Sequence, residues 1–390
     1  MDYVFSNRFA ALQPSIIREI LKASSGQNVI PFSAGNPAVE TFPAQAIRSF
    51  TQTILEENPV AALQYGITEG YEPLRQVLKK QLQESHNAGR ESDELIIVSG
   101  AQQGIELACK VLCNEGDAII CESPSFIGSL NSFRSAGARL VGVPMEPDGL
   151  NIEQLEHALK TEKNVKLLYL IPSFQNPTGI TTSLEKRKAI YELARKYGVL
   201  ILEDNPYGEL RFKGEDIPTI KSLDDEGLVI YVGSFSKILS PGLRLGFVLA
   251  PSEVVQKMVV AKQGEDVHTA MLPQLLAYKF MTEYDYEGHI KLIREVYRRK
   301  SELMINSLEQ YMDSSITFTH PDGGLFLWCD LPADRPMLEY CKQAAAKGVA
   351  VVPGTAFLID TQEPCNSFRL NYSTPSDEQI VEGIKILGTV

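Results

Sequence analysis

Histidine is scarce in this sequence. Its five histidines are scattered, and neither they nor the six cysteines fall at metal-ligand spacing or form a CxxC pair. Neither a zinc site nor a redox dithiol is expected. Cys109 and Cys113 would share one helix face as buried thiols. No run of basic residues interrupts a formal net charge of −12, which argues against nonspecific binding to nucleic acid or to an anionic membrane. The apolar runs are too short to span a bilayer, and Met1-Asp2-Tyr3-Val4-Phe5-Ser6-Asn7-Arg8 lacks the apolar core of a signal peptide. The expectation is a cytoplasmic protein that acts on small molecules.

What is present is an ordinary globular composition, 44% hydrophobic and 22% charged, over 390 residues, enough for two domains and a large core. Short apolar runs with β-branched residues recur at 95–98, 117–121, 139–143, 166–171, 199–203, 228–232 and 245–250, mostly separated by stretches of helical periodicity. This alternation predicts an α/β layer, a largely parallel sheet covered by helices on both faces. Beyond about residue 285 the pattern changes to a long charged helix from Ile290 to Tyr311 and strands around 316–319 and 325–329. A helix near 336–347 and a last strand around 367–372 complete a smaller α+β unit. No repeat, low-complexity tract or linker intervenes, so the two units should share an interface.

Chemistry concentrates in Gly233-Ser234-Phe235-Ser236-Lys237-Ile238-Leu239-Ser240-Pro241-Gly242-Leu243-Arg244. Hydroxyls at 234 and 236 can donate to a phosphate, Arg244 can grip it in a bidentate manner, and the Lys237 amine can condense with a carbonyl. Taken alone, the segment also reads as a solvated lysine and an ordinary turn after a strand. Ser99-Gly100-Ala101-Gln102 joins the run at 95–98 to a helix predicted over 102–113. The unpaired amides of a helix start attract an anion, and glycine lets the chain approach closely, although any strand-to-helix turn favours Ser and Gly. Asp204 ends the run at 199–203, where a parallel strand opens onto a crevice, or else it caps a turn.

Asn176-Pro177-Thr178-Gly179, Glu203-Asp204-Asn205-Pro206-Tyr207, the Lys237 segment and Phe368-Arg369-Leu370 follow one another in an order and spacing that resemble the pyridoxal-phosphate aminotransferases of fold type I. More narrowly, the sequence is similar to the class I/II branch with 2-aminoadipate, kynurenine and broad-range aromatic aminotransferases, over motifs running from Ser33 to Arg369. The resemblance implies an α/β fold with a mostly parallel seven-stranded sheet, one strand antiparallel, and a smaller α+β domain. Residues 1–40 would pack with the small domain, 41–284 would bind pyridoxal 5'-phosphate, and 285–390 would form the small C-terminal domain.

The same resemblance assigns roles. Lys237 would carry the cofactor as a Schiff base and then move the substrate proton, its pKa lowered from about 10.4 by the pyridinium, Arg244 and partial desolvation. Asp204 would hold the ring nitrogen protonated, with Tyr207 and Asn176 on the ring's 3' oxygen. Ser99, Gly100, Ala101, Gln102, Ser234, Ser236 and Arg244 would hold the phosphate, joined by Tyr65 of Leu63-Gln64-Tyr65-Gly66 from a neighbouring subunit. Phe126, where many relatives have tyrosine, would stack on the ring. Arg369 would grip the substrate α-carboxylate in a bidentate manner, beneath the loop Gly35-Asn36-Pro37. The helix Pro14-Ser15-Ile16-Ile17-Arg18-Glu19-Ile20-Leu21 would cover the side-chain pocket. There Arg18 either pairs with a distal carboxylate or swings away, and an exposed helical arginine is the plainer alternative.

The implied activity moves the amino group of an L-amino acid (glutamate, 2-aminoadipate, aromatic or aliphatic) to a 2-oxo acid by a ping-pong mechanism in a homodimer. Two other readings stand beside it: a lyase that performs β-elimination on cysteine-like substrates with the same cofactor, and the aminotransferase-like module of a DNA-binding regulator. The short segment ahead of Gly35 and the acidic balance disfavour the regulator.

Overall fold

A computed structural model describes residues 3–10 and 29–390. Twelve strands among these residues form two sheets. The larger contains β1 (Asp93–Val98), β2 (Ala118–Ser123), β3 (Arg139–Glu146), β4 (Gly149–Leu150), β5 (Val165–Leu170), β6 (Leu200–Asn205), β7 (Val229–Ser234) and β8 (Gly246–Pro251), in the spatial order β1-β8-β7-β6-β5-β2-β3-β4. Strands β3, β2, β5, β6 and β7 are mutually parallel, and β8 runs antiparallel to both β7 and β1. Seven strands match the apolar runs. The eighth, β4, is a two-residue return of β3, too short to leave a periodic signal.

Alternate residues of each strand enter different cores, which is why the runs are apolar throughout. Ile119, Leu167, Tyr169, Leu202, Ile230 and Val232 face one side, under the helices Ala101–Leu112 and Ile127–Ser135. Ile120, Leu168, Leu170, Ile201 and Val229 face the other, under the helices Ile152–Thr161 and Leu184–Tyr197. Nearer the β1 edge, Leu95, Ile97, Tyr231, Phe247 and Leu249 pack on the helix Glu72–His86 and on Ala277 and Phe280 of Met271–Thr282.

The smaller sheet is antiparallel, in the order β11-β12-β10-β9, with β9 (Thr317–Phe318), β10 (Phe326–Asp330), β11 (Val352–Pro353) and β12 (Ser367–Asn371). The charged helix spans Tyr286–Tyr311 and packs on Asp377–Leu387, a C-terminal helix absent from the sequence reading. Its start was legible: the Ser376 side chain accepts from the Gln379 N–H while the Gln379 side chain accepts from the Ser376 N–H, a reciprocal capping box. Residues 30–32 pair with this part of the molecule, Ile30 N–H donating to Gly348 O and Asn371 N–H to Phe32 O.

All six cysteines are free. Among the described residues no helix is long and apolar enough to cross a membrane, and no group of three or more His, Cys, Asp or Glu could hold a metal ion.

Candidate active site

Because β1, β2, β5, β6 and β7 run the same way, their carboxyl ends lie along one edge, where antiparallel β8 begins. Ser99, Phe126, Asn176, Asp204 and Lys237 all lie at or just beyond those ends, and Arg244 leads into β8. Arg369 reaches the same place from β12 of the smaller sheet. Its guanidinium donates to Asn176 Oδ1 (2.9 Å), Ser33 O (2.8 Å) and Ala34 O (3.2 Å).

Arg369 is buried with aromatic faces against it, 4.2 Å from the Phe326 ring centre and 5.1 Å from that of Phe357. Its Nε has no partner, and none of its three hydrogen bonds goes to a carboxylate. Burial lowers its pKa to about 10. A buried cation in this state has unused capacity for an anion. Lys237 Nζ donates to Gly35 O at 2.7 Å and lies 6.0 Å from the Tyr207 ring centre. Burial first, then the positive charges of Arg369 and Arg244, lower its pKa to about 8. Loss of water thus does more here than the nearby Arg244 stressed by the sequence reading.

Asp204 supplies the opposite charge. Its Oδ2 accepts from the Tyr169 hydroxyl at 2.8 Å, whereas its buried Oδ1 has no partner. Burial raises its pKa to about 7, with the Tyr169 hydrogen bond pulling the other way. Tyr207 is buried, its ring edge-on to Phe326 at 5.9 Å and its hydroxyl 3.5 Å from Asn176 Nδ2. Gln175 braces that turn: its Oε1 accepts from Thr178 N–H (3.0 Å) and Oγ1 (2.7 Å), and its Nε2 donates to Pro124 O (2.8 Å) and Glu122 Oε2 (3.2 Å). Neither Gln175 nor Tyr169 was picked out from sequence.

At the helix start of Ala101–Leu112, Gly100 has φ +84°, and a Cβ there would collide with the Arg244 guanidinium. Arg244 is itself left-handed at φ +51° and donates to Pro241 O (3.3 Å) and, weakly, to Ser99 O (3.5 Å). Two side chains are turned elsewhere. The Ser99 hydroxyl donates to Asp266 Oδ2 (2.8 Å), and Gln102 Nε2 donates to Ser132 Oγ (2.8 Å) and Gly128 O (3.1 Å). What Ala101 and Gln102 offer an anion is backbone N–H. Ser234 Oγ accepts from Ser236 N–H at 3.1 Å. Phe126 directly precedes Ile127–Ser135, its ring packed over Gly128. Tyr65 is 81% exposed, edge-on to His268. Arg18 lies outside the described residues.

The family description aminotransferase class I and II matches residues 27–387. The chain belongs to that family. This aminotransferase is 39% identical to aromatic-amino-acid aminotransferase 1 of Thermococcus litoralis, over 99% of this chain and 94% of the relative. It is 38% identical to the 2-aminoadipate transaminase of Thermus thermophilus, over 98% and 95%. The crystal structure of Pyrococcus horikoshii kynurenine aminotransferase in complex with PMP superposes at a TM-score of 0.95, with 37% identity, covering 99% of this chain and 96% of that one.

The aminotransferase uses pyridoxal 5'-phosphate, and its residues fit that group. The unpartnered Asp204 Oδ1 suits a protonated ring nitrogen, and the amides after Gly100, with Arg244 beside them, suit a phosphate. Lys237 presents an amine that suits the carbonyl, and Arg369 Nε is left without a partner for a second anion.

Proposed function

We propose that this aminotransferase moves the amino group of glutamate, 2-aminoadipate, aromatic or aliphatic L-amino acids to a 2-oxo acid in two half-reactions at the Lys237 site. The observation that carries this reading is Arg369: a buried guanidinium without a carboxylate, held by Asn176 beside the partly buried Lys237. It would bind the α-carboxylate common to all these substrates, with the Gly35 loop next to it. Pyridoxal phosphate, when bound, supplies an electrophilic carbonyl and a ring that draws electron density from the substrate Cα. Lys237 Nζ takes the Cα proton and returns it. Asp204 Oδ1 would accept from the ring nitrogen, Tyr207 and Asn176 would orient the ring's oxygen, and Phe126 would cover its face. Ser234, Ser236, Arg244 and the amides of Ala101 and Gln102 would hold the phosphate, with Gly100 letting the chain come close and Ser99 shaping the turn.

In this reading residues 41–284 carry the cofactor, 285–390 bring Arg369, and 1–40 pack with the latter. A second copy of the chain completes each site through Tyr65; the exposed apolar side chains Val60, Leu63, Tyr65 and Ile67 support a covered face there. We place the enzyme in the cytoplasm. Arg18, from the sequence alone, either pairs with a distal carboxylate or swings away from apolar side chains, with an exposed helical arginine as the plainer alternative.

The test is a panel of amino donors against 2-oxoglutarate, pyruvate and phenylpyruvate. Turnover should require the 2-oxo acid and give parallel double-reciprocal lines. Arg18→Ala should lower kcat/KM for acidic donors by roughly tenfold to a thousandfold and change apolar donors far less. Thiol release from cysteine-like substrates without any 2-oxo acid would favour a lyase instead.

A further inference from the structure

Asp204 is asymmetric: one carboxylate oxygen is taken and the other is free, both in the interior. The oxygen that is taken ends a chain of hydroxyls. Ser129, buried on the helix Ile127–Ser135, lies 2.7 Å from the hydroxyl of Tyr169 on β5, and that hydroxyl lies 2.8 Å from Asp204 Oδ2 on β6. When Asp204 is charged its oxygens only accept, so the Tyr169 proton points to Asp204 and the Ser129 proton in turn to Tyr169. The direction Ser129 to Tyr169 to Asp204 is therefore set by chemistry. Edge-on contact with Phe133, at 5.2 Å between ring centres, holds the tyrosine ring, and burial raises the Tyr169 pKa well above its ordinary value, so the phenol stays a donor. The nearby buried carboxyl of Glu122, on β2, instead repels the Asp204 charge; it accepts from Ile171 N–H and Gln175 Nε2.

We propose that Tyr169, directed by Ser129, is a positioning residue: it occupies Oδ2, holds Asp204 in its charged form, and leaves Oδ1 as the face offered to the cofactor's ring nitrogen. The inference rests on the reading of Asp204 as the ring-nitrogen partner. Its physical basis is the low-dielectric surroundings. Without a donor on Oδ2 a buried carboxylate competes for the proton it should leave on the ring, and polarisation along the two hydroxyls strengthens the bond that prevents this.

The experiment reads the ring-nitrogen resonance of holoenzyme reconstituted with 15N-labelled pyridoxal phosphate, together with a double-mutant cycle in kcat/KM. Asp204→Asn should move the resonance to that of a neutral pyridine. Tyr169→Phe should move it part of the way, and Ser129→Ala less far in the same direction. Tyr169→Phe should lower kcat/KM about tenfold to a hundredfold in the wild-type background, the range for a hydrogen bond to a charged group, and roughly threefold or less beside Asp204→Asn, where no charge needs holding. Equal losses in the two backgrounds, or an unmoved resonance in Tyr169→Phe when Asp204→Asn moves it, would overturn the proposal. If Asp204→Asn itself leaves the resonance in place, the reading of Asp204 fails and Tyr169 falls with it. Should Tyr169→Phe fold poorly, Ser129→Ala keeps the phenol and decides by the same resonance.

Discussion

Lys237 sits in surroundings far from those its identity implies. An exposed lysine is almost wholly an ammonium ion at neutral pH, whereas here burial and two neighbouring guanidinium-bearing residues bring its pKa to about 8. The charged form is the one penalised, so the free amine grows as pH rises through 8. Competitive acetylation of the cofactor-free protein should give Lys237 a titration midpoint near 8, against about 10.4 for surface lysines. Arg369→Ala should move that midpoint upward, since removing a repelling cation favours the ammonium form. A Lys237 midpoint among those of the surface lysines would mean that the amine is not buried as described. Lys237, Asp204 and Arg369 were legible from sequence because each sits in a short motif beside an apolar run. Tyr169 and Ser129 were not: they look like one more core aromatic and one more helical serine, and only the packing of Ile127–Ser135 on β5 and β6 brings them to Asp204.

At the scale of elements, the site depends on how closely the Ala101–Leu112 helix start can lie on β8. Gly246 opens β8, and a Cβ there would stand 2.7 Å from Ala101 N, 2.9 Å from Gly100 C and 2.9 Å from Gly233 O, all backbone atoms. Side chains can turn aside but this backbone cannot. Gly246→Ala should therefore displace the turn that presents the phosphate amides and raise the Kd for pyridoxal phosphate roughly tenfold or more, read by equilibrium dialysis; an unchanged Kd would show that the turn can yield. The seven long strands were legible as continuous apolar runs, and the charged helix by its sustained period. Among the pieces that escaped are β4 and β11, two residues each and fixed only by pairing with β3 and β12, and the helix Asp377–Leu387, announced by its cap. The Ser99 and Gln102 side chains illustrate another limit: their motif fixed the backbone turn, while their partners, Asp266 and Ser132, lie far along the chain or on another helix.

Over the whole molecule, two sheets and a proposed second subunit meet around one lysine. Mixing Tyr65→Phe with Lys237→Ala should restore part of the lost activity, since a heterodimer has one site with both residues intact; subunit exchange without recovery would place Tyr65 in its own chain's site. The family fixes the chemistry, and Lys237 is the claim on which the rest of the proposed site turns. It is tested most directly by borohydride reduction of the holoenzyme, then proteolysis and mass mapping of the pyridoxyl group, because reduction converts a reversible carbon–nitrogen linkage into a stable amine. A single labelled peptide, modified at Lys237, is expected. A pyridoxyl group on any other lysine, or none fixed by reduction, would contradict it.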